Sequence, residues 1–541
     1  VPSEVTKGRH VQHRLVESFK FAYAKRSGLG DAVRERDRAG GHMTSSSYGR
    51  SFAVASPTTP RTMSTTMDQC SSGRRTLARL TCLLWTHDGN AVVTLAHEAS
   101  AQVSRWTTSL SQQTITLAYQ RPPTLSANKR PMSSMAPVIV VNADGDVQFV
   151  SGAAGGSRIT SAVAYTLARQ LYLNETVKAA VDSYRLHHQL VPNIIKEELR
   201  RKGHKLKPFR RISAVQAIER LSNGQLQANA DYHKPSRTGG LPDMQQSRKR
   251  SRIQLGILAA VIATLIVLVI VFAALSAQCR SSYGETPEWQ KNCVSASGTD
   301  IYQYNAVTSD CNACSTIGDY VLNVLGGNAM DAGVATVLCI GVSNIHNAGI
   351  GGGSFLVYYN RSTRAARAFD FRESAPAAAH RDMYSGLPSN ASLYGGLAIG
   401  VPGEVAGLAA AHAAHGRLPW RSVVEPVSRV LREGQRVSRP LAKAFASKYP
   451  QVPDVAPFKE LKDWMVNPAT GKPYKEGDVL VDTKLADTMD KIANDPQVFY
   501  NGSLADDIVQ EVLAAGGNIT KNDLLVSRIN ALQLFSTVRR W

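Results

Sequence analysis

Three small groups of residues carry hydroxyl, backbone N–H or guanidinium groups that could contact a ligand. They are the serine pair Ser133-Ser134, the glycine pair Gly155-Gly156 and Arg372, which stands at the end of an apolar run. Paired hydroxyl groups can bind an anion, glycine N–H groups can bind an oxyanion, and a guanidinium binds a carboxylate bidentately. Each group alone also fits a structural role, because such pairs are common in turns and a lone arginine is commonly solvated.

The metal-binding patterns are incomplete. His97-Glu98 begins like the zinc motif H-E-x-x-H, but Ala101 stands where the second histidine is required. His187-His188 has no ligand partner at useful spacing. The C-x-x-C spacing of Cys311 and Cys314 is followed by no second pair. We therefore predict no metal site and expect the cysteines to serve in disulfides.

Residues 255–277 form an uncharged apolar run, longer than the roughly 20 residues that a helix needs to cross a membrane. Four basic residues come directly before the run: Arg248, Lys249, Arg250 and Arg252. Because basic residues favour the cytoplasmic flank, the pattern predicts a single-pass plasma-membrane protein whose C-terminal domain is extracellular.

Sequons after the run agree with this orientation, since N-glycosylation occurs outside the cytoplasm. They begin at Asn360, Asn390, Asn501 and Asn518, and we expect these residues to be glycosylated. Asn174 begins a further sequon on the opposite side of the run, which the orientation does not explain.

The net charge of +20 over 541 residues raises the question of a nucleic-acid partner. No zinc finger, recognition helix or basic–aromatic stripe accompanies the charge, so we predict no nucleic-acid binding. The basic residues are better explained as solvated surface and as a topology signal beside the apolar run.

Patterns after the run indicate an α/β or α+β fold. A helix is expected from Cys314 to the stop signal at Gly326, and a second helix from Ala329 to Val342. A glycine run at 349–353 precedes a strand at 355–359 and suggests positive φ angles and a close backbone approach. A second strand is expected to end at a turn that holds Arg372.

Here the motifs resemble a known family. Six of them stand in order: Gly326-Gly-Asn-Ala-Met-Asp-Ala, Gly349-Ile-Gly-Gly-Gly, Phe371-Arg-Glu-Ser-Ala-Pro, Val401-Pro-Gly-Glu-Val, His415-Gly-Arg-Leu-Pro-Trp420 and Phe499-Tyr-Asn-Gly-Ser503. They resemble the large subunit of gamma-glutamyltranspeptidase, or glutathione hydrolase. Earlier segments resemble the other end of the same family, with 11–26 similar to the end of the large subunit and 129–137, 151–159 and 185–189 similar to the small subunit.

The resemblance implies an N-terminal-nucleophile hydrolase, built as an αββα sandwich of large and small subunits. Such an enzyme cuts itself before a threonine, whose hydroxyl attacks the γ-glutamyl carbonyl while its freed amine takes the proton. The γ-glutamyl group of glutathione then passes through an acyl-enzyme to water, an amino acid or a dipeptide. No metal or organic cofactor is implied.

The resemblance also assigns roles to individual residues. Arg372 would pair with the α-carboxylate of the glutamyl group, and Ser133 and Ser134 would hydrogen-bond the same carboxylate. Gly155 and Gly156 would form the oxyanion hole. Cys314 and Cys339 would form a disulfide between the two predicted helices.

The order of the segments departs from the family, in which an anchor is followed by the large subunit, the nucleophile and the small subunit. We divide the chain into 1–69 (end of large subunit), 70–125 (aberrant), 126–243 (small subunit), 244–254 (basic), 255–277 (transmembrane helix), 278–304 (stalk), 305–524 (start of large subunit) and 525–541 (aberrant tail). This order is what two adjacent gene copies would give if they were read through as one, with the end of the first followed by the start of the second. It predicts two incomplete pieces of the fold on either side of the span.

The nucleophile is not evident. In the family it stands about nine residues before a turn like Asp88-Gly-Asn-Ala-Val92, and that count reaches Arg79. Thr76 and Thr81 lie nearby, but neither has the family's Thr-x-His setting. The segment also lacks the expected strand alternation. The alternative is therefore a catalytically inactive, membrane-anchored surface relative that keeps the glutamyl pocket.

Overall fold

The structure, a computed structural model, describes residues 80–97, 126–131, 133–183, 213–231, 237–239, 299–388, 391–392, 395–452, 454, 459–526 and 530–534. The predicted span at 255–277, the segment 185–189 and Asn390 lie outside these residues. Within them, no helix has the length and hydropathy needed to cross a membrane.

Sixteen strands are described in this part of the chain. They are β1 Leu80–Trp85, β2 Ala91–His97, β3 Val138–Val141, β4 Val147–Ala154, β5 Ala214–Arg220, β6 Leu226–Ala230, β7 Arg237–Gly239, β8 Thr299–Tyr302, β9 Ala306–Ser309, β10 Gly353–Asn360, β11 Ala365–Asp370, β12 Gln435–Arg436, β13 Val466–Asn467, β14 Lys472–Pro473, β15 Val479–Leu480 and β16 Asn530–Leu534.

Twelve α-helices are described in the same ranges. They are α1 Ile159–Leu173, α2 Val177–Asp182, α3 Asn312–Asn323, α4 Ala329–Ser343, α5 Glu404–His415, α6 Trp420–Glu433, α7 Arg439–Lys448, α8 Lys459–Trp464, α9 Thr483–Asn494, α10 Val498–Asn501, α11 Ser503–Ala514 and α12 Lys521–Leu525. Short 3₁₀ turns occur at Gly156–Arg158, Gly396–Ala398 and Tyr449–Gln451.

Two antiparallel sheets form the centre of the fold. The larger has the order β16-β11-β10-β2-β1-β9-β7, and the smaller has the order β3-β4-β5-β6-β8. Two short pairs, β12-β15 and β13-β14, lie apart from them.

Alternating residues of the strands separate the layers, as the two-residue period of a strand requires. Leu83 and Trp85 of β1 pack against Val150 and Ile218 of the smaller sheet, in a core that lies between the sheets. Leu84, with the opposite orientation, packs in a second core with residues of α3 and α4. On the far side of the smaller sheet, residues of β4 and β5 pack against α1 and α2. The result is a helix–sheet–sheet–helix sandwich, as the family resemblance implied.

The prediction of two incomplete pieces is wrong for the described residues, because both sheets take strands from both sides of the 255–277 segment. In the larger sheet β7 pairs with β9, and in the smaller sheet β6 pairs with β8. Backbone hydrogen bonds and a shared core therefore join the two halves in one domain.

Residues 80–97 also correct the expectation that this region lacks strands. They form a hairpin, β1 and β2, in the middle of the larger sheet. The turn closes at Gly89, which has a φ of 81°. A run of buried apolar residues on both faces of a central strand hides the alternation that was sought. Strand β8 falls in the predicted stalk, and β16 falls in the predicted tail.

The elements predicted around the resemblance motifs are confirmed. Helix α4 begins at Ala329 as expected, because Asn328 and Asp331 form a capping box at its start. Strand β11 ends at Asp370, two residues before Arg372. A disulfide joins Cys314 of α3 to Cys339 of α4, the pair that the resemblance implied.

Candidate functional site

The site is built around Arg372, at the turn that follows β11. The backbone there is closely surrounded by glycine residues, because a Cβ atom on Gly353 would lie 2.7 Å from Arg372 Cα. A Cβ on Gly407 of α5 would collide with the ring of Phe371. The close approach expected of the glycine run at 349–353 is therefore found, although none of these glycines has the positive φ that was expected.

The Arg372 side chain is completely buried, yet its hydrogen-bonding capacity is only partly used. Its Nε donates to Glu373 Oε2, and its Nη1 donates to Ser133 Oγ over 3.1 Å. Its Nη2 has no hydrogen-bond partner among the described residues. A buried guanidinium donor without a partner is costly, which indicates a place for an anionic ligand.

Ser133 reaches Arg372 because the preceding loop is fixed to the segment after β11. The backbone of Lys129 accepts a hydrogen bond from Ala375 N over 2.9 Å. Arg130 Nε donates to the carbonyl oxygen of Arg372 over 3.2 Å. Ser133 Oγ also accepts from Met135 N over 3.1 Å, which fixes the hydroxyl beside the guanidinium.

Ser134 connects this region to the glycine pair. It is buried, and its carbonyl oxygen accepts a hydrogen bond from Thr160 Oγ1 over 3.2 Å. Thr160 is in the first turn of α1, which follows the 3₁₀ turn that begins at the glycine pair. The serine pair and the glycine pair are thus brought to the same end of the smaller sheet.

Gly155 and Gly156 require glycine on conformational grounds. Their φ angles are 142° and 62°, in the region that favours glycine. A Cβ on Gly155 would lie 2.8 Å from the Cα of Ser213. The pair begins a 3₁₀ turn that continues into α1, and N–H groups at such a start have no partner within the helix. This geometry suits oxyanion binding.

Glu404 is a functional candidate that sequence reasoning did not single out, although it stands in a quoted motif. It is the first residue of α5 and is buried. Its Oε2 accepts a hydrogen bond from Ser354 Oγ over 2.6 Å. Burial and, to a smaller extent, the charge of Glu373 raise the pKa of Glu404, and Ser354 and Arg372 lower it, so that the net pKa is about 8.

The start of β1 lies at the same end of the larger sheet as Arg372. Leu80 pairs with Ala96, and the neighbouring His97 pairs with Gly353, the residue that contacts the Arg372 backbone. The nucleophile count reaches Arg79, directly before Leu80, but residue 79 lies outside the described residues, as does Thr76. No group of three metal-ligating side chains is found within the described ranges.

The predicted glycosylation residues differ in their settings. Asn501 is exposed at the end of α10, whereas Asn360 ends β10 and is half-buried, and its Oδ1 accepts from Thr363 N over 3.0 Å. Asn518 is half-buried before α12. Glycosylation of these residues remains a prediction.

The arrangement of Arg372, Ser133 and the glycine pair can be compared with known proteins. The family model described as Gamma-glutamyltranspeptidase matches residues 101–241 and 314–531, more than half of the chain. The chain belongs to the gamma-glutamyltranspeptidase family. The two matched segments include every residue to which the resemblance assigned a substrate-binding or oxyanion role.

Individual relatives of the family match over shorter lengths. Scoloptoxin SSD14 of Scolopendra dehaani is 43% identical over 225 residues, which are 41% of this chain and 38% of the relative. Glutathione hydrolase 3 of Arabidopsis thaliana is 40% identical over 231 residues, which are 42% of this chain and 35% of the relative. The alignments therefore span little more than a third of these curated relatives.

Among solved structures, the gamma-glutamyltranspeptidase of Helicobacter pylori is 30% identical to this chain, with a TM-score of 0.38. The match covers 40% of this chain and 62% of the solved one.

Proposed function

We propose that this protein binds the γ-glutamyl group of glutathione and related compounds, and transfers it to water, an amino acid or a dipeptide. The observation that carries the proposal is the buried Arg372 Nη2, which has no partner among the described residues and lies on the same guanidinium that binds Ser133. An α-carboxylate placed there would accept hydrogen bonds from both the guanidinium and the serine hydroxyl.

Family membership supports the reaction class, since relatives are named glutathione hydrolase. In the proposed mechanism Arg372, Ser133 and Ser134 hold the α-carboxylate. The amides of Gly155 and Gly156 stabilise the oxyanion that forms when the γ-carbonyl is attacked. A threonine freed at the start of β1 would act as nucleophile, with its own amine as base. Residues 70–79 carry no Thr-x-His motif, and Thr76 and Thr81 are the threonines nearest to the expected position.

We also keep the proposal that the two halves derive from neighbouring gene copies. A membrane crossing at 255–277 would put β7 and β9 on opposite sides of the membrane, although they pair in one sheet. Separate copies remove this conflict, because each would carry both halves after its own anchor. Anchoring to the plasma membrane by 255–277, an extracellular C-terminal domain and a heterodimer of large and small subunits belong to the same proposal.

The first experiment assays the purified full chain with L-γ-glutamyl-p-nitroanilide, with and without glycylglycine as acceptor. We expect release of p-nitroaniline, and we expect Arg372→Ala to abolish it. Arg367→Ala is the matched control, because Arg367 lies on the preceding strand β11 but is exposed. An Arg372→Ala variant as active as the parent protein would overturn the proposed carboxylate site. Binding of L-glutamate without any release of p-nitroaniline would overturn catalysis and leave the inactive relative.

A second experiment measures subunit masses and N-termini of the native protein by mass spectrometry. A small subunit that begins with threonine, separate from an anchored large one, is the expected result. A single intact polypeptide near 58.5 kDa would overturn both the processing proposal and the proposal that the two halves belong to separate gene copies.

A further inference from the structure

The carboxyl group of Glu404 is buried next to the site proposed for the substrate α-carboxylate, and the proposed mechanism gives it no role. Glu404 begins α5, and its backbone N–H and that of Gly403 both donate to the carbonyl oxygen of Gly352. This fixes the start of α5 against the first residues of β10. The same β10 segment supplies Ser354, whose carbonyl oxygen accepts from Phe371 N over 3.1 Å.

Ser354 therefore connects Glu404 to the segment that holds Arg372. Its backbone binds the residue before Arg372, and its hydroxyl donates to Glu404 over 2.6 Å. Ser354 is fully buried, and a Cβ on the neighbouring Gly400 would lie 3.2 Å from Glu373 Cβ. A Cβ on Gly403, the residue before Glu404, would lie 3.4 Å from the carbonyl oxygen of Arg372, so the start of α5 packs directly against the turn that carries the Arg372–Glu373 ion pair.

We propose that Glu404 is a positioning residue that sets the net charge met by a substrate carboxylate at Arg372. This inference rests on the proposed function. While Glu404 is neutral, Arg372 and Glu373 balance each other, and an incoming carboxylate meets a free guanidinium edge. When Glu404 ionises, the cluster carries an excess negative charge in a buried setting, where charges interact strongly. The carboxylate of the substrate is then repelled.

The groups that face Glu404 agree with a titration in the neutral to alkaline range. Burial and Glu373 raise its pKa, the hydrogen bond from Ser354 and the charge of Arg372 lower it, and the net pKa is about 8. Tyr500 of α10 also interacts with it, but burial raises the pKa of Tyr500 far above its ordinary value, so that this phenol stays neutral. Ligand binding should therefore weaken as the pH rises through about 8.

The test measures the dissociation constant of L-glutamate by calorimetry between pH 6.5 and 9. If only the form with neutral Glu404 binds, the affinity of the parent protein for L-glutamate should fall about tenfold between pH 7 and 9. The reason is that one pH unit above a pKa leaves about a tenth of the acid form. Glu404→Gln should remove this weakening and bind about equally at both pH values. Because both proteins bind the same ligand, titration of the ligand's own amine cancels in the comparison.

Two further variants separate a charge effect from a structural one. Ser354→Ala removes the hydrogen bond that lowers the pKa of Glu404, so the weakening should move to higher pH. Glu425→Gln, an exposed residue of α6, should leave the profile unchanged. The Ser354→Ala profile tests the inference even where Glu404→Gln does not fold.

The outcomes distinguish this inference from the proposed function. Binding by the parent and by Glu404→Gln with the same pH profile would overturn the role of Glu404 and leave the carboxylate site intact. Absence of L-glutamate binding by both proteins at every pH would overturn the proposed function and this inference with it.

Discussion

Arg372 Nη1 donates to Ser133 Oγ over 3.1 Å, although the two residues stand 239 positions apart in the chain. One lies after β11 in the second half of the chain, and the other lies before β3 in the first half. The contact forms only because both halves contribute strands to the same two sheets. The candidate site is therefore a property of the assembled sandwich, and its residues can be tested one by one.

Replacing Ser133 with alanine should weaken L-glutamate binding about tenfold, because one hydrogen bond to a charged group is worth about 1.5 kcal/mol. The change also removes the hydrogen bond from Arg372 Nη1 to Ser133 Oγ, so the melting temperature should fall slightly. Isothermal calorimetry and thermal unfolding measure the two effects. Ser447→Ala, on the exposed face of α7, is the control, and an unchanged affinity for Ser133→Ala would exclude the serine from the site.

Replacing Gly407 with alanine should destabilise the protein. Within a helix the same change usually raises the free energy of unfolding by up to about 1 kcal/mol. The added methyl group would collide with the Phe371 ring and disturb the turn that carries Arg372. Gly341→Ala in α4 is the matched control, since its Cβ would find its nearest neighbour at 3.5 Å, an ordinary contact. Urea unfolding of both variants measures whether each substitution raises or lowers the free energy of unfolding. Equal stability of the two would contradict the close packing around Phe371.

Replacing Cys314 with serine should lower stability by about 3 kcal/mol, because the disulfide with Cys339 closes a loop of 25 residues. A reductant should destabilise the parent by a similar amount and leave the variant unaffected. Cys311→Ser is the control, because Cys311 is a free thiol only three residues away. Denaturant titrations with and without reductant measure the difference. A parent protein that is insensitive to reductant would show that the disulfide contributes little.

Asp331 should make stability depend on pH in the acid range. Burial raises its pKa, but His412 and the backbone N–H groups of Asn328, Arg417 and Leu418 lower it more, and the net pKa lies below its ordinary value of 3.8. A lowered pKa in the folded state means that the stabilisation is present above about pH 4 and is lost as the pH falls further.

Asp331→Asn should therefore unfold at a lower urea concentration than the parent at pH 7. At pH 3 the difference between the two unfolding midpoints should be smaller. Asp487→Asn is the control, because Asp487 is two-thirds exposed where it pairs with Arg432. A gap between parent and Asp331→Asn that is equal at both pH values would contradict the role of the ionised carboxylate.

Local patterns were sufficient for the helices around the family motifs. The start of α4 follows from a capping box within four residues, and the turn after β11 follows from the end of an apolar run at Asp370. The strands β1 and β2 could not be recognised in this way. Their residues are buried on both faces, and the strands that flank their hairpin, β9 and β10, lie more than 200 positions away. Strand pairing over such a distance leaves no local signal.

The sequence by itself determined the family, the residue types of the carboxylate site and the cysteine pair, because these depend on short motifs that stay in register. Only the tertiary structure decided that the two halves share one sandwich, that Arg372 Nη2 is buried without a partner in the described chain, and that Glu404 lies beside the site. Burial and its effect on charge arise from packing between distant segments. A glutamate after Pro-Gly looks the same in a sequence whether it faces water or the Arg372–Glu373 pair.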